Sequence, residues 1–150
     1  MTMAALPLRA EAILLDTPDQ DAMSVLGRLA TLFGVAAAMP AEDILQALQN
    51  REAQGSTALG GGVAVPHARL AGIGQTAVAA LRTRSPVDFS APDGEPIRLF
   101  LGVLVPASAT LEHLEILSQL ATRLARPELR QQLLQVTKPA DFRSLLVEEA

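Results

Sequence analysis

The sequence predicts an α/β fold in one domain, with helices packed on both faces of a sheet. Three observations carry that expectation. The chain has 150 residues, 49% of them hydrophobic and 19% charged, enough to bury a single core and too apolar to stay disordered. Apolar residues recur at three- and four-residue steps before residue 54 and after residue 110, the period of amphipathic helices. Between them, Ile97-Arg98-Leu99-Phe100-Leu101-Gly102-Val103-Leu104-Val105 is an almost unbroken apolar run, as in a strand covered on both sides. No internal repeat is present, and no linker is long enough to divide the chain.

Taken in order, Ala12–Asp16 reads as a short buried strand. Thr17-Pro18-Asp19 predicts a helix start, with a hydroxyl cap and proline at the first helical position. Met23, Leu26, Leu29, Ala30 and Phe33 form its apolar stripe, and Gly34 is the expected terminator. Met39-Pro40 opens a second helix with Ile44, Leu45 and Leu48 inward, ending near Gln54-Gly55. Residues 55–62 hold four glycines with Ser56 and Thr57, which predicts a loop. Val63-Ala64-Val65 predicts a short strand stopped by Pro66. Residues 76–83 predict another strand, Pro92-Asp93-Gly94 a turn, and residues 97–105 the long strand closed by Pro106. Residues 110–125 form the clearest helix, striped by Leu114, Leu117, Ala121 and Leu124. Two more helices follow from Pro127 and from about Pro139.

Composition removes several function classes. There is no cysteine, so disulfides, iron–sulfur clusters and thiolate zinc sites are excluded. The net charge is −4 with no long basic run, which argues against nucleic-acid binding, and with no Trp or Tyr and only four Phe base-stacking platforms are scarce. No apolar run approaches the ~18 residues that span a bilayer. The start lacks a signal-peptide layout, since Arg9 is its only early basic residue and Glu11 follows, so a cytoplasmic protein is expected.

Only two histidines exist. His67 follows the predicted strand 63–65 and Pro66, directly after the glycine-rich segment; His113 lies in the helix of residues 110–125, beside the Leu114/Leu117 stripe. A single histidine is more often a surface or satisfied core residue than a catalytic one, and a glycine-rich segment is more often a simple turn. Familiar alternatives fail. Gly55 and Gly60 have P-loop spacing, but Gly61-Gly62 stand where Lys and Ser or Thr are needed. Gly60-Gly61-Gly62 leads into a strand, not the helix of a dinucleotide site. No third zinc ligand accompanies the two histidines, and no G-x-S-x-G elbow occurs.

The string Arg51-Glu52-Ala53-Gln54-Gly55-Ser56-Thr57-Ala58-Leu59-Gly60-Gly61-Gly62-Val63-Ala64-Val65-Pro66-His67 resembles the R-E-x-x-G-S-T-G-I-G-x-G-[VI]-A-[VI]-P-H signature of EIIA domains of the bacterial phosphotransferase system, in the mannitol/fructose/nitrogen superfamily. Leu104-Val105-Pro106-Ala107, His113-Leu114 and Leu117–Leu124 extend the resemblance over nearly the whole chain. It implies a single EIIA type-2 domain over residues 1–150, with a mixed sheet of the five-stranded type between helices. It also implies phosphorylation of His67, in a site lined by Arg51, Ser56, Thr57 and His113. The donor would be HPr or a nitrogen-branch equivalent, and no metal or organic cofactor would be needed.

Elementary chemistry fits that assignment. An unprotonated imidazole is a good nucleophile near neutral pH, and an apolar setting keeps it unprotonated. The transferred phosphoryl group carries spread negative charge. Backbone N–H groups of Gly60, Gly61 and Gly62, the hydroxyls of Ser56 and Thr57, the guanidinium of Arg51 and the ring of His113 are candidate partners for it. Arg51 could equally be a helix-end cation bonding free carbonyls, and Ser56 or Thr57 could merely brace a turn. The chain departs from the signature at Ala58-Leu59, where Gly-Ile is common, at Gly61, often polar, and at Ala68, often Gly. Losing a polar residue at Gly61 suggests a more mobile loop; a methyl at Ala68 suggests a narrower docking surface.

Two functions share this site. In one, His67 passes phosphate to an EIIB domain for fructose- or mannitol-type sugar uptake. In the other, the domain is a stand-alone nitrogen-type regulator whose targets, such as a sensor kinase or ion transporter, bind only one phosphorylation state. A stand-alone domain without a fused EIIB, EIIC or HPr portion is expected, and these 150 residues hold no cysteine of the EIIB type, which favours the regulator.

Overall fold

The computed structural model describes residues 6–109 and 111–147, the side chains of 111–114 excepted. The order of elements is β1 (Leu8–Thr17), α1 (Ala22–Ala37), α2 (Ala41–Glu52), β2 (Ala58–Gly60), β3 (Val63–Ala64), β4 (His67–Leu70), β5 (Ala77–Val87), β6 (Ile97–Pro106), α3 (Leu111–Leu124), α4 (Pro127–Gln135) and α5 (Pro139–Val147). The sheet is mixed, in the order β1-β5-β6-β3-β2, with β4 also on β6. β1 runs parallel to β5, β3 and β4 run parallel to β6, and β5/β6 and β2/β3 are antiparallel. β3 pairs with Leu99 and Phe100, and β4 with Val103 to Pro106, so the two lie end to end in one lane beside β6. Six strands thus occupy five lanes.

β6 shows why the sheet is covered twice. Leu99, Leu101, Val103 and Val105 belong to the core beneath α3–α5, together with Leu120, Leu133 and Phe142. Phe100 and Leu104 belong to the other core, beneath α1 and α2, with Leu29, Phe33, Ile44 and Leu48. Between those two, Gly102 leaves room for the Phe33 ring, which a Cβ there would meet at 3.1 Å. Period-two alternation along one strand therefore builds two hydrophobic layers.

Several boundaries differ from the sequence expectation. The strand expected over 12–16 runs from Leu8 to Thr17, its polar Arg9 and Glu11 lying on an edge lane where one side meets water. The first helix does not start at Thr17-Pro18-Asp19. Asp21 caps it, its carboxylate accepting from the Ser24 amide at 2.8 Å, while Asp19 is turned to Arg28 at 2.7 Å. Gly34 does not end that helix. The end is Ala38, with φ +54°, and Gly34 instead admits the returning chain, since a Cβ there would meet the Met39 carbonyl at 3.2 Å. The segment expected as loop contains β2, and His67, which follows the short strand β3 and Pro66 as expected, also opens a strand of its own. Pro127 and Pro139 each open a helix as expected, with Pro127 at the first helical position. Among the described residues no helix is long and apolar enough to cross a membrane.

Candidate active site

His67 sits at the first position of β4, opposite Val103 of β6. Its neighbour Ala68 is buried in the core under α1 and α2, so alternation puts the imidazole on the opposite face, the one α3 covers. Pro66 shapes this junction. It has no N–H to offer a ladder, yet its carbonyl accepts from the Val103 amide at 2.9 Å, so the chain is held against β6 where β3 and β4 meet.

The half-buried ring is oriented by the backbone. Nδ1 of His67 lies 2.8 Å from the Val65 carbonyl oxygen. A carbonyl only accepts, so Nδ1 carries the hydrogen in the neutral ring and the lone pair sits on Nε2. Burial pulls the pKa of His67 below its ordinary value, and the positive charge of Arg51 pulls the same way. The Val65 hydrogen bond and the negative charge of Glu52 oppose these without reversing them. The ring is therefore held neutral, in one tautomer, at neutral pH.

Arg51 lies in the last turn of α2, and its Nη1 donates to the Gly55 carbonyl at 3.0 Å. That is the helix-end bond considered for it, yet its charge also reaches His67. Ser56 and Thr57 are set by braces. The Ser56 hydroxyl donates to the Phe89 carbonyl at 2.7 Å, and Phe89 is anchored edge-to-face on Phe100 with ring centroids 5.2 Å apart. Buried Thr57 gives both its amide and its hydroxyl to the Glu52 carboxylate, each at 2.8 Å. In turn the Thr57 carbonyl accepts the Val65 amide at 3.0 Å. Glu52 was not singled out in the sequence. Two signals were present: it is the fixed glutamate of the R-E-x-x-G-S-T signature, and it stands at the end of a helix, where a carboxylate opposes the helix dipole and so needs another reason to be there.

The glycines lie elsewhere. Gly61-Gly62 are the two central residues of the β2–β3 hairpin, with φ of +69° and +83°, the left-handed pair that a tight hairpin turn demands. The Gly61 amide donates to Asp93 at 3.0 Å, and the Arg130 guanidinium covers its Cα. This turn lies beside Leu99, whose amide faces the Gly62 carbonyl, whereas His67 lies opposite Val103. Four residues of strand separate the two positions, about 13 Å at ~3.3 Å each. The structure therefore does not bring Gly60, Gly61 and Gly62 to the imidazole as a phosphate cradle. Nor is the turn left loose by a glycine at 61, because Asp93 braces it. The Ala68 methyl, buried under α1 and α2, cannot narrow a docking surface. His113 falls within α3, and its side chain lies outside the described residues. Among the described residues no three His, Asp or Glu side chains converge as metal ligands. A groove of about 820 Å³ runs along β1, α1 and residues 73–78, and contains none of the site residues.

The comparisons with known proteins point the same way. A nitrogen regulatory protein of Pseudomonas aeruginosa is 42% identical over 123 residues, covering 80% of this chain and 79% of that protein. A fructose-specific EIIA component of Haloferax volcanii is 35% identical over 104 residues, covering 69% and 68%. The crystal structure of nitrogen regulatory protein IIA-Ntr from Neisseria meningitidis superposes with a TM-score of 0.91 at 38% identity, covering 94% of this chain and 97% of that one. IIA mannitol from Escherichia coli shares the fold, with a TM-score of 0.77 at 22% identity over 93% and 98%. The family model of the phosphoenolpyruvate-dependent sugar phosphotransferase system, EIIA 2, matches residues 7–149, and the chain belongs to that family.

Proposed function

We propose that this chain is a cytoplasmic phosphohistidine carrier that takes a phosphoryl group on Nε2 of His67 from an HPr-type protein and acts as a nitrogen-type regulator. The observation that carries the reading is the 2.8 Å bond from Nδ1 of His67 to the Val65 carbonyl, which leaves the lone pair on Nε2. As Nε2 attacks, its new bond to phosphorus forms while the donor's bond to phosphorus breaks. The Nδ1 proton stays on the ring, which becomes cationic. The Val65 carbonyl and the Glu52 carboxylate, the two groups that favour the cation, stabilise that change. Arg51 offers a permanent positive charge to the phosphoryl oxygens, and we place His113 of α3 in the same role.

The regulator reading is supported by similarity to the nitrogen regulatory protein of P. aeruginosa and to IIA-Ntr of N. meningitidis. Phosphorylation adds about −1.5 to −2 of charge, enough to dissociate a partner that docks over the half-buried ring. The alternative, transfer to an EIIB domain for sugar uptake, is favoured by the fructose-specific relative and by the fold shared with a mannitol IIA solved in complex with its phosphorylated IIB. The two separate in a pull-down from the native host with phosphorylated wild type and with His67→Ala. A kinase or ion transporter held by only one form supports regulation. An EIIB partner that accepts the label and passes it to a sugar overturns it.

A further inference from the structure

Glu52 spends both carboxylate oxygens on one residue. Thr57 is held at 2.8 Å through its amide and at 2.8 Å through its hydroxyl, five residues along the chain, so the turn over residues 53–56 is closed at its base. The clamp then continues as a single file of hydrogen bonds. The Thr57 carbonyl accepts the Val65 amide at 3.0 Å, and the Val65 carbonyl accepts Nδ1 of His67 at 2.8 Å. Val65 is buried and stands directly before Pro66, whose ring crowds it and restricts Val65 itself to extended backbone. Its amide and carbonyl therefore move together, and what sets one sets the other.

We propose that Glu52 is a positioning residue for phosphoryl transfer: by clamping Thr57 it fixes the Val65 carbonyl, and so holds His67 in the Nδ1–H tautomer that presents Nε2 to the phosphoryl donor. The proposal rests on His67 being the acceptor, but it has a readout that needs no transfer. A clamp requires two partners at Thr57 and no charge. A glutamine at 52 still accepts the Thr57 amide with its oxygen and donates to the Thr57 hydroxyl oxygen with its NH2 group. An alanine does neither.

The test is the imidazole ¹⁵N spectrum of the unphosphorylated full chain above neutral pH, with the His67 signals assigned by their loss in His67→Gln. The wild type is expected to show one protonated and one unprotonated ring nitrogen, the proton on Nδ1. Glu52→Gln keeps that pattern. Glu52→Ala gives averaged shifts of two exchanging tautomers, and its rate of phosphorylation from HPr falls by roughly 10- to 100-fold, as for a misplaced reacting group. Should Glu52→Ala fail to fold, Thr57→Val removes one of the two bonds at nearly constant volume, and partial averaging is expected. Wild-type ring shifts in folded Glu52→Ala, or in Thr57→Val when that variant carries the test, overturn the proposal. So does a Glu52→Gln whose ring shifts are averaged like those of Glu52→Ala, which would assign the tautomer to charge. A wild type with the expected tautomer but no phosphorylation contradicts the function proposed above and leaves the positioning result standing.

Discussion

At its Ile97 end, β6 lies among charges that are paired with one another. Arg82, buried, grips Asp16 through two bonds of 3.0 Å and gives its remaining Nη1 to the carbonyls of Leu133 and Val136 at the end of α4. Arg98 donates to the Thr83 carbonyl at 2.9 Å and approaches Asp16 at 3.7 Å. The hydrogen bond from Arg82 holds the Asp16 carboxyl below the usual carboxylate range. Opposite Val103 the arrangement differs. Arg51 and Glu52, adjacent in sequence, bond to Gly55 and Thr57, and both fields fall on His67. Charge consumed in a local pair ties elements together. Charge tethered to nearby loop backbone and aimed at a half-buried imidazole tunes a reactive group.

The largest effect at the structural end is expected for Arg82→Ala. It leaves two helix-end carbonyls of α4 without that donor and removes a buried packed stem, costing about 2–4 kcal/mol. Urea unfolding measures the loss, and the folded variant should still be phosphorylated at near the wild-type rate. At the other end, Arg51→Gln should behave in reverse: stability changes little, the His67 pKa rises because a depressing charge is gone, and phosphorylation slows by roughly tenfold or more. An NMR titration and a time course separate these effects. A variant that loses stability without slowing transfer would merge the two ends.

A smaller effect concerns pH. The folded pKa of His67 lies below its unfolded value of about 6.5, so the unfolded chain binds the proton more readily. This contribution to stability is full above pH ~6.5 and is lost as pH falls through the folded pKa. The urea midpoint of the wild type should therefore drop more between pH 7.5 and 5.5 than that of His67→Gln. Equal slopes would mean that the ring is not held neutral by its surroundings. The smallest effect is expected at the hairpin. Gly61→Ala places a side chain at φ +69° against Arg130 and costs about 1 kcal/mol. Its phosphorylation rate should stay within about twofold. A large loss of labelling in the folded variant would return the turn to the phosphate site.

The helices were legible because their apolar residues repeat at helical spacing and because Pro127 and Pro139 mark starts. β6 was legible because a nine-residue, nearly uninterrupted apolar run rich in Val and Leu and bounded by Pro96 and Pro106 is too short for a buried helix and suits a strand covered on both faces. β2 and β4 were hidden. Glycines and Pro66 give both segments the local signature of a loop, and only pairing with β3 and β6 makes them strands. At the site, the run into Val65-Pro66-His67 marked the proposed acceptor, and Arg51 was singled out through the same signature. Glu52 stands in that signature too, but no role was read for it, because its partner Thr57 is set by how residues 53–56 fold back. The glycines at 60–62 were given to phosphate because backbone N–H groups in a glycine turn suit an anion. The carboxylate of Asp93, thirty-two residues away, takes the Gly61 amide instead.

The central claim is that Nε2 of His67 accepts the phosphoryl group. Phosphoenolpyruvate, Enzyme I and HPr supply the test, with wild type and His67→Ala as acceptors and a known EIIA as positive control. The account predicts label on the wild type alone, stable to base and labile to acid, with the phosphorus coupled to Nε2 in the NMR spectrum. Label retained at normal stoichiometry in His67→Ala, or a folded wild type that stays unlabelled while the control is labelled, would contradict it.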